Sequence, residues 1–139
     1  MSVDDKIQNN QVVGVIEYRA AEAYLNYIEA CYLRKGSIDA SADKYWKAIR
    51  KRAGVSEDYR RTIELTDMSK ESCLLSAYTA GKLVDKTMFN IRRERACELM
   101  SEGFRWDDLR RWRSMDQLVN TPYQVEGFKL WGEMKNWYT

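Results

Sequence analysis

The segment from Asn90 to Trp112 places charged residues where a helix would normally be apolar. From Met88 the apolar positions advance by helical spacing to Ile91, as on the buried face of an amphipathic helix. The same face then continues through a mixture of charged and apolar residues, namely Arg95, Glu98, Leu99 and Glu102. Because an ordinary amphipathic helix keeps charges off this face, the pattern constrains the fold more than any other feature of the chain.

Gly103 interrupts the helical pattern, and beyond it Arg105 and Asp108 share a face with Leu109 and Trp112. Buried charges are costly unless they are paired and hydrogen-bonded. We therefore predict two helices that face each other on either side of the glycine. Their interface is expected to hold a structural ionic network made of Arg95, Glu98, Glu102, Arg105 and Asp108.

The same segment resembles the signature of the SusD/RagB family. The resemblance rests on Ile91-Arg-Arg-Glu-Arg, followed by Glu98-Leu, Glu102-Gly-Phe-Arg, Asp108-Leu and Arg111-Trp. A second block agrees, with Tyr18-Arg-Ala-Ala-Glu-Ala-Tyr-Leu-Asn-Tyr-Ile-Glu-Ala and then Trp46-Lys-Ala-Ile-Arg-Lys-Arg-Ala-Gly. The two blocks cover most of the chain between Tyr18 and Trp112, whereas the tail from Tyr123 to Tyr138 matches more loosely.

The resemblance implies a role in nutrient uptake. Proteins of this family are outer-membrane lipoproteins of Bacteroidetes that capture oligosaccharides, or peptides in some members, beside a TonB-dependent (SusC-like) transporter. They bind rather than catalyse, so the resemblance implies no enzyme activity and no cofactor. The signature residues are interpreted as scaffold, and no ligand contact is carried over from the family.

The beginning of the chain differs from the family pattern. Met1-Ser-Val-Asp-Asp-Lys has no apolar signal core and no lipid-accepting cysteine. We therefore expect the chain to be a piece of a surface-exposed outer-membrane protein, without the export signal and the long N-terminal part. No run approaches the roughly 20 apolar residues of a membrane span, so no direct span is expected.

Helix signals predict an all-α fold of stacked, tetratricopeptide-like helix hairpins in one domain of 139 residues. The first helix is expected from about Glu17 to Arg34, with Gly36 as its stop and Ser37 or Ser41 as the cap of the second. Asp85 is expected to cap a third helix, from about Lys86 to Ser101. The predicted organisation is a flexible lead at 1–15, a helix hairpin at 17–54, a connecting loop at 55–85, a second hairpin at 86–119 and an aromatic-rich irregular tail at 120–139.

The fourth helix is predicted to run from about Phe104 to Val119. Its inward positions would be Phe104, Asp108, Trp112, Met115 and Val119. Three tryptophans fall inside predicted helices, where packing in the core or at an interface is expected for Trp46, Trp106 and Trp112. On the first helix, Glu22 and Glu29 fall outside the apolar face.

Composition excludes several classes of function. The chain has no histidine, which removes histidine-based triads and the usual zinc sites. A formal charge of +2, with acids interleaved among the bases, argues against a nucleic-acid module. Cys31, Cys73 and Cys97 show no metal-binding spacing, and the sequence leaves open whether any two of them form a disulfide.

Two alternative functions remain beside glycan capture. One is a helical protein-interaction scaffold without a ligand site of its own. The other is a glycosidase, because Glu94, Glu98 and Glu102 recur every four residues and Glu98 could act with Asp108. Arginines around these carboxylates favour structural pairing instead.

Aromatic rings stack on sugar faces, and the chain has five Trp and nine Tyr. The tail therefore supplies the candidate ligand contacts Trp131, Trp137 and Tyr138, although core packing is the simpler interpretation of most aromatic residues.

Overall fold

The computed structural model describes residues 18–119, and this part of the chain is mostly helical. The all-α prediction is confirmed. The helices are α1 (Ala20–Lys35), α2 (Ala40–Arg52), α3 (Tyr59–Leu65), α4 (Lys86–Glu98) and α5 (Arg105–Arg111). The expectations for the lead at 1–15 and for the tail at 120–139 lie outside the described residues.

A small hairpin and two 3-10 turns complete the described part. The 3-10 turns are Leu75–Ala77 and Met115–Leu118. Strand β1 (Tyr78–Thr79) pairs antiparallel with β2 (Lys82–Leu83), with Tyr78 opposite Leu83. Ala80 and Gly81 join the strands with φ values of 48° and 78°, the backbone that a tight two-residue hairpin turn requires.

Helices α1 and α2 form the predicted first hairpin. Gly36 ends α1 with φ at 67°, and its N–H donates to the carbonyl of Tyr32, as expected for a left-handed glycine cap. The cap of α2 was predicted as Ser37 or Ser41, which is wrong. Asp39 caps this helix, because its carboxylate accepts the N–H of Ala42 at 2.9 Å.

Helix α1 lies at the centre of the core, packed against both α2 and α4. Trp46 of α2 is buried and stacks on Tyr59 of α3 with ring centroids 4.2 Å apart. Buried apolar side chains from four helices and the α4–α5 connection meet there: Leu25, Ile28, Cys31, Ala42, Trp46, Ile49, Tyr59, Ile91 and Leu99. Polar side chains of α1 form hydrogen bonds with α4 and with the end of α5.

The connection between the hairpins holds more structure than a loop. Helix α3 lies within it and packs against α4. Asp58 caps α3 by accepting the N–H of Arg61 at 3.1 Å. The mixed sequence here gives no clear period, so the short helix depends on its cap and on burial of Tyr59.

The predicted third and fourth helices correspond to α4 and α5, and both end earlier than predicted. Asp85 caps α4 as expected, accepting the N–H groups of Thr87 and Met88, but α4 ends at Glu98 rather than Ser101. The fourth helix was predicted to reach Val119, and this is wrong. Helix α5 ends at Arg111, Arg113 takes a φ of 54°, and Val119 is exposed.

Candidate functional site

A buried salt bridge joins α4 to α5. The Nε atom of Arg95 donates to both carboxylate oxygens of Asp108, at 2.9 and 2.7 Å, and both side chains are about 95% buried. A second nitrogen of Arg95 donates to the Asn26 side-chain oxygen of α1 at 2.8 Å. One guanidinium therefore ties three helices together.

A second buried carboxylate, Glu29, extends this contact along the same face of α1, because it lies three residues after Asn26. Glu29 accepts two hydrogen bonds from Arg111, both at 2.7 Å, and a third from the indole N–H of Trp112 at 2.7 Å. Arg111 also donates to Asp108 at 2.8 Å. We call this set the ionic network, and it consists of Asn26, Glu29, Arg95, Asp108, Arg111 and Trp112.

The carboxylates of the ionic network change the pKa of Arg111. Burial is the largest single influence and would lower the pKa of Arg111, but the hydrogen bonds and charges of Glu29 and Asp108 together outweigh it and raise that pKa above its ordinary value. Such bidentate pairs of arginine and carboxylate are strong and fix geometry. The network therefore behaves as a rigid, charged cross-link.

Arg92 is a buried cation outside the ionic network. Burial lowers its pKa to about 10, which still leaves it charged at neutral pH. Its guanidinium donates to the carbonyls of Ser76 and Tyr78 and to the Thr79 hydroxyl, and it lies 4.7 Å above the Trp112 ring. Arg92 thus fixes the β-hairpin to α4.

Arginines from the first hairpin neutralise the acidic side of α4. Glu94 accepts from Arg50 at 2.8 Å and from the indole of Trp46 at 3.0 Å. Glu98 accepts from Arg19, which precedes α1, and from Arg52 at the end of α2. These pairs hold the first hairpin against α4.

The structure brings only part of the predicted network together. Arg95 and Asp108 meet each other, as the sequence suggests. Glu98 and Glu102 instead pair with Arg19, the latter at 3.3 Å. Arg105 is exposed and makes no ion pair within residues 18–119, which corrects its assignment to the interface. Its position at the first turn of α5 places it on the outer face.

Sequence reasoning missed the partners contributed by the first hairpin. Glu29 was placed outside the buried face of α1, yet its side chain is only 3% exposed. Arg19 and Asn26 were likewise not assigned a role. All three contact residues that lie 69 to 83 positions away in sequence. Their presence in the second block of the resemblance was the available signal.

Trp106 also differs from its prediction. Trp46 and Trp112 are buried, as expected, whereas Trp106 is 58% exposed. It lies beside Arg105 at a cavity of about 670 Å³ near the α4–α5 connection. The other candidate ligand contacts, Trp131, Trp137 and Tyr138, lie outside the described residues.

The carboxylates of this region do not suit acid–base catalysis. A glycosidase needs one carboxyl group that holds a proton and another that is free to attack or activate water. Glu94, Glu98 and Asp108 each accept hydrogen bonds from arginine instead, so all three are engaged in contacts within the fold. Within residues 18–119, no group of side chains is arranged to hold a metal ion. The three cysteines are free.

These features define a helical scaffold, in which arginine–carboxylate pairs fix the relative positions of the helices. The chain belongs to the SusD family, whose model matches residues 3–132. Members of this family are nutrient- and glycan-binding proteins of the outer-membrane surface. Comparisons with curated proteins and with solved structures give no significant match. Among the helices of residues 18–119, none is long and apolar enough to cross a membrane.

Proposed function

We propose that the chain is part of a cell-surface glycan-binding protein that works with a TonB-dependent outer-membrane transporter in polysaccharide uptake. The family match over residues 3–132 carries this proposal. The pairing of the α4 carboxylates Glu94 and Glu98 with arginines supports binding over catalysis, because both are engaged in ion pairs that hold the helices together.

Calorimetric titration of the full chain with a panel of soluble polysaccharides tests the binding role. We expect saturable binding of at least one glycan, without release of reducing ends over the same period. If no polysaccharide binds, the glycan-binding role fails for this chain.

The transporter role has a separate test. A tagged form of the chain, expressed in the cell of origin, is expected to co-purify with a TonB-dependent transporter after mild solubilisation. Recovery of the chain alone, under conditions in which other outer-membrane complexes stay intact, would contradict the partnership.

A protein-interaction scaffold without a ligand site of its own is the alternative function. The alternative predicts that a transporter is recovered while no glycan binds.

A further inference from the structure

The cavity near the α4–α5 connection has the size of a small-ligand site. Its volume of about 670 Å³ falls within the range of roughly 300–1,000 Å³ that is typical of ligand pockets. Its lining includes the apolar side chains of Leu99, Met100 and Phe104. Polar groups in the lining come from Arg95, Ser101, Arg105, Trp106 and Asp108. Apolar surface with a few polar groups is the usual composition of such sites.

Trp106 differs from the two other tryptophans of the described part. The indole N–H groups of Trp46 and Trp112 both donate to carboxylates, and their rings are buried. Trp106 is 58% exposed, and its N–H has no partner within residues 18–119. The ring therefore presents an apolar surface and an unused donor to solvent at the cavity.

Arg105, the neighbour of Trp106 in the cavity lining, supplies a positively charged group. The guanidinium groups of Arg92, Arg95 and Arg111 donate hydrogen bonds to other groups of the protein. Arg105, in contrast, makes no hydrogen bond or ion pair in the described part. A free guanidinium carries five N–H donors in a planar fork. Arg105 can therefore donate to several acceptors on one ligand.

The backbone at the cavity is also unusual. Ser101 has a φ of 67°, which is costly for a residue with a side chain. Ala80 and Arg113 also have positive φ at turns, so at Ser101 this backbone marks a tight turn and is not by itself evidence of a ligand. Here the strain accompanies the turn that opens the cavity between α4 and α5.

We propose that this cavity is an oligosaccharide subsite, in which one pyranose ring stacks on Trp106 and its hydroxyl oxygens accept hydrogen bonds from Arg105. The proposal rests on the proposed glycan-binding function and assigns it a location. A pyranose fits this chemistry because one of its faces is apolar and its edge carries hydroxyl groups. A nucleic acid does not, because acidic residues offset the basic ones over the whole chain.

Calorimetry with cello-, xylo-, manno- and maltooligosaccharides provides the test. For the sugar that binds the full chain most tightly, Trp106→Ala is expected to raise Kd by about tenfold or more, as is usual for an aromatic anchor. Trp106→Phe keeps a ring and is expected to raise Kd less. Arg105→Gln is expected to weaken binding while leaving the fold intact.

Tyr18→Ala is the matched control, because Tyr18 is 86% exposed and does not line the cavity. Its Kd should equal that of the parent. Melting curves by circular dichroism should be unchanged in Trp106→Ala, since the ring is largely exposed. A large drop in melting temperature would show that the Trp106 ring packs against the protein and is not free to stack on a ligand, and this would overturn the subsite.

The outcomes separate the subsite from the function on which it rests. Sugar binding that is unchanged in both Trp106→Ala and Arg105→Gln would overturn the subsite and leave the glycan-binding role intact. If none of these oligosaccharides and no polysaccharide binds the parent chain, the glycan-binding role falls, and the subsite falls with it.

Discussion

Arg95 carries a buried charge whose loss is expected to reduce stability. It is buried with Asp108 and also reaches Asn26. Replacing it with alanine leaves a buried carboxylate with one fewer partner, and we expect Arg95→Ala to cost about 3–5 kcal/mol of unfolding free energy. Urea denaturation followed by circular dichroism measures this loss. A melting temperature within about a degree of the parent would contradict the buried pair.

Arg60→Ala is the control for this substitution. Arg60 also pairs with a carboxylate, Asp43, but its side chain is 65% exposed. Exposed ion pairs contribute little, so the expected loss is under about 1 kcal/mol. Equal losses in the two variants would mean that burial of the charge is not what matters.

Tyr59 gives the protein a pH dependence at alkaline pH. Burial, followed by its hydrogen bond to Asp43 at 2.7 Å, raises the pKa of Tyr59 from 10.0 to about 12. A raised pKa means that the unfolded chain loses this proton first. Its contribution to stability is therefore complete below about pH 10 and is lost as pH rises through about 12.

The variant Tyr59→Phe isolates this effect. It lacks the hydrogen bond, so we expect it to be less stable than the parent at about pH 8 by roughly 1 kcal/mol. Because phenylalanine does not ionise, the difference should shrink or reverse at about pH 11. Urea denaturation at both pH values measures the difference in unfolding free energy between the parent and the variant. A constant gap would contradict the raised pKa.

At the scale of the element, the cap of α4 is the clearest test. Asp85 accepts the N–H groups of Thr87 and Met88 at 2.9 and 3.0 Å, and the hydroxyl of Tyr32 at 2.9 Å. We expect Asp85→Ala to cost about 1 kcal/mol, whereas Asp85→Asn, which retains an N-cap oxygen, should cost less. Thermal melts of both variants measure the difference. Equal losses would indicate that capping is not the source of the effect.

Local signals made part of the architecture predictable. Gly36 and Asp85 mark a helix end and a helix start because left-handed glycine and aspartate caps act over only a few residues. The contact of Arg95 with Asp108 was also predictable, since Gly103 places the two helices next to each other. These inferences needed no knowledge of distant contacts.

The other features depend on distant contacts. Helix α5 stops at Arg111 because the chain turns there to reach the β-hairpin, and Ala80 donates its N–H to the carbonyl of Arg113 at 2.9 Å. Glu29 is buried because α5 lies against α1, which the period of α1 alone cannot show. Arg105 and Trp106 face outward because the contacts of Asp108 and Trp112 fix which side of α5 is buried.

At the scale of the whole molecule, ion pairs and charged hydrogen bonds join elements that apolar interfaces join in most helical folds. Arg92 holds the β-hairpin, Glu98 holds the start of α1, and the ionic network holds α5. Apolar packing of α1 with α2 and α4 supplies the rest of the core. The long-range ionic contacts therefore act together with apolar packing to fix α4, α5 and the β-hairpin against the first two helices.

A double-mutant cycle between Glu29 and Arg111 tests this claim most directly, because the pair joins α1 to α5 across 82 residues of sequence. Unfolding free energies are measured for the parent, Glu29→Gln, Arg111→Gln and the double variant. If the contact holds the two halves together, the coupling energy should be at least about 1 kcal/mol. Losses that simply add, with a coupling within about 0.3 kcal/mol of zero, would contradict the account.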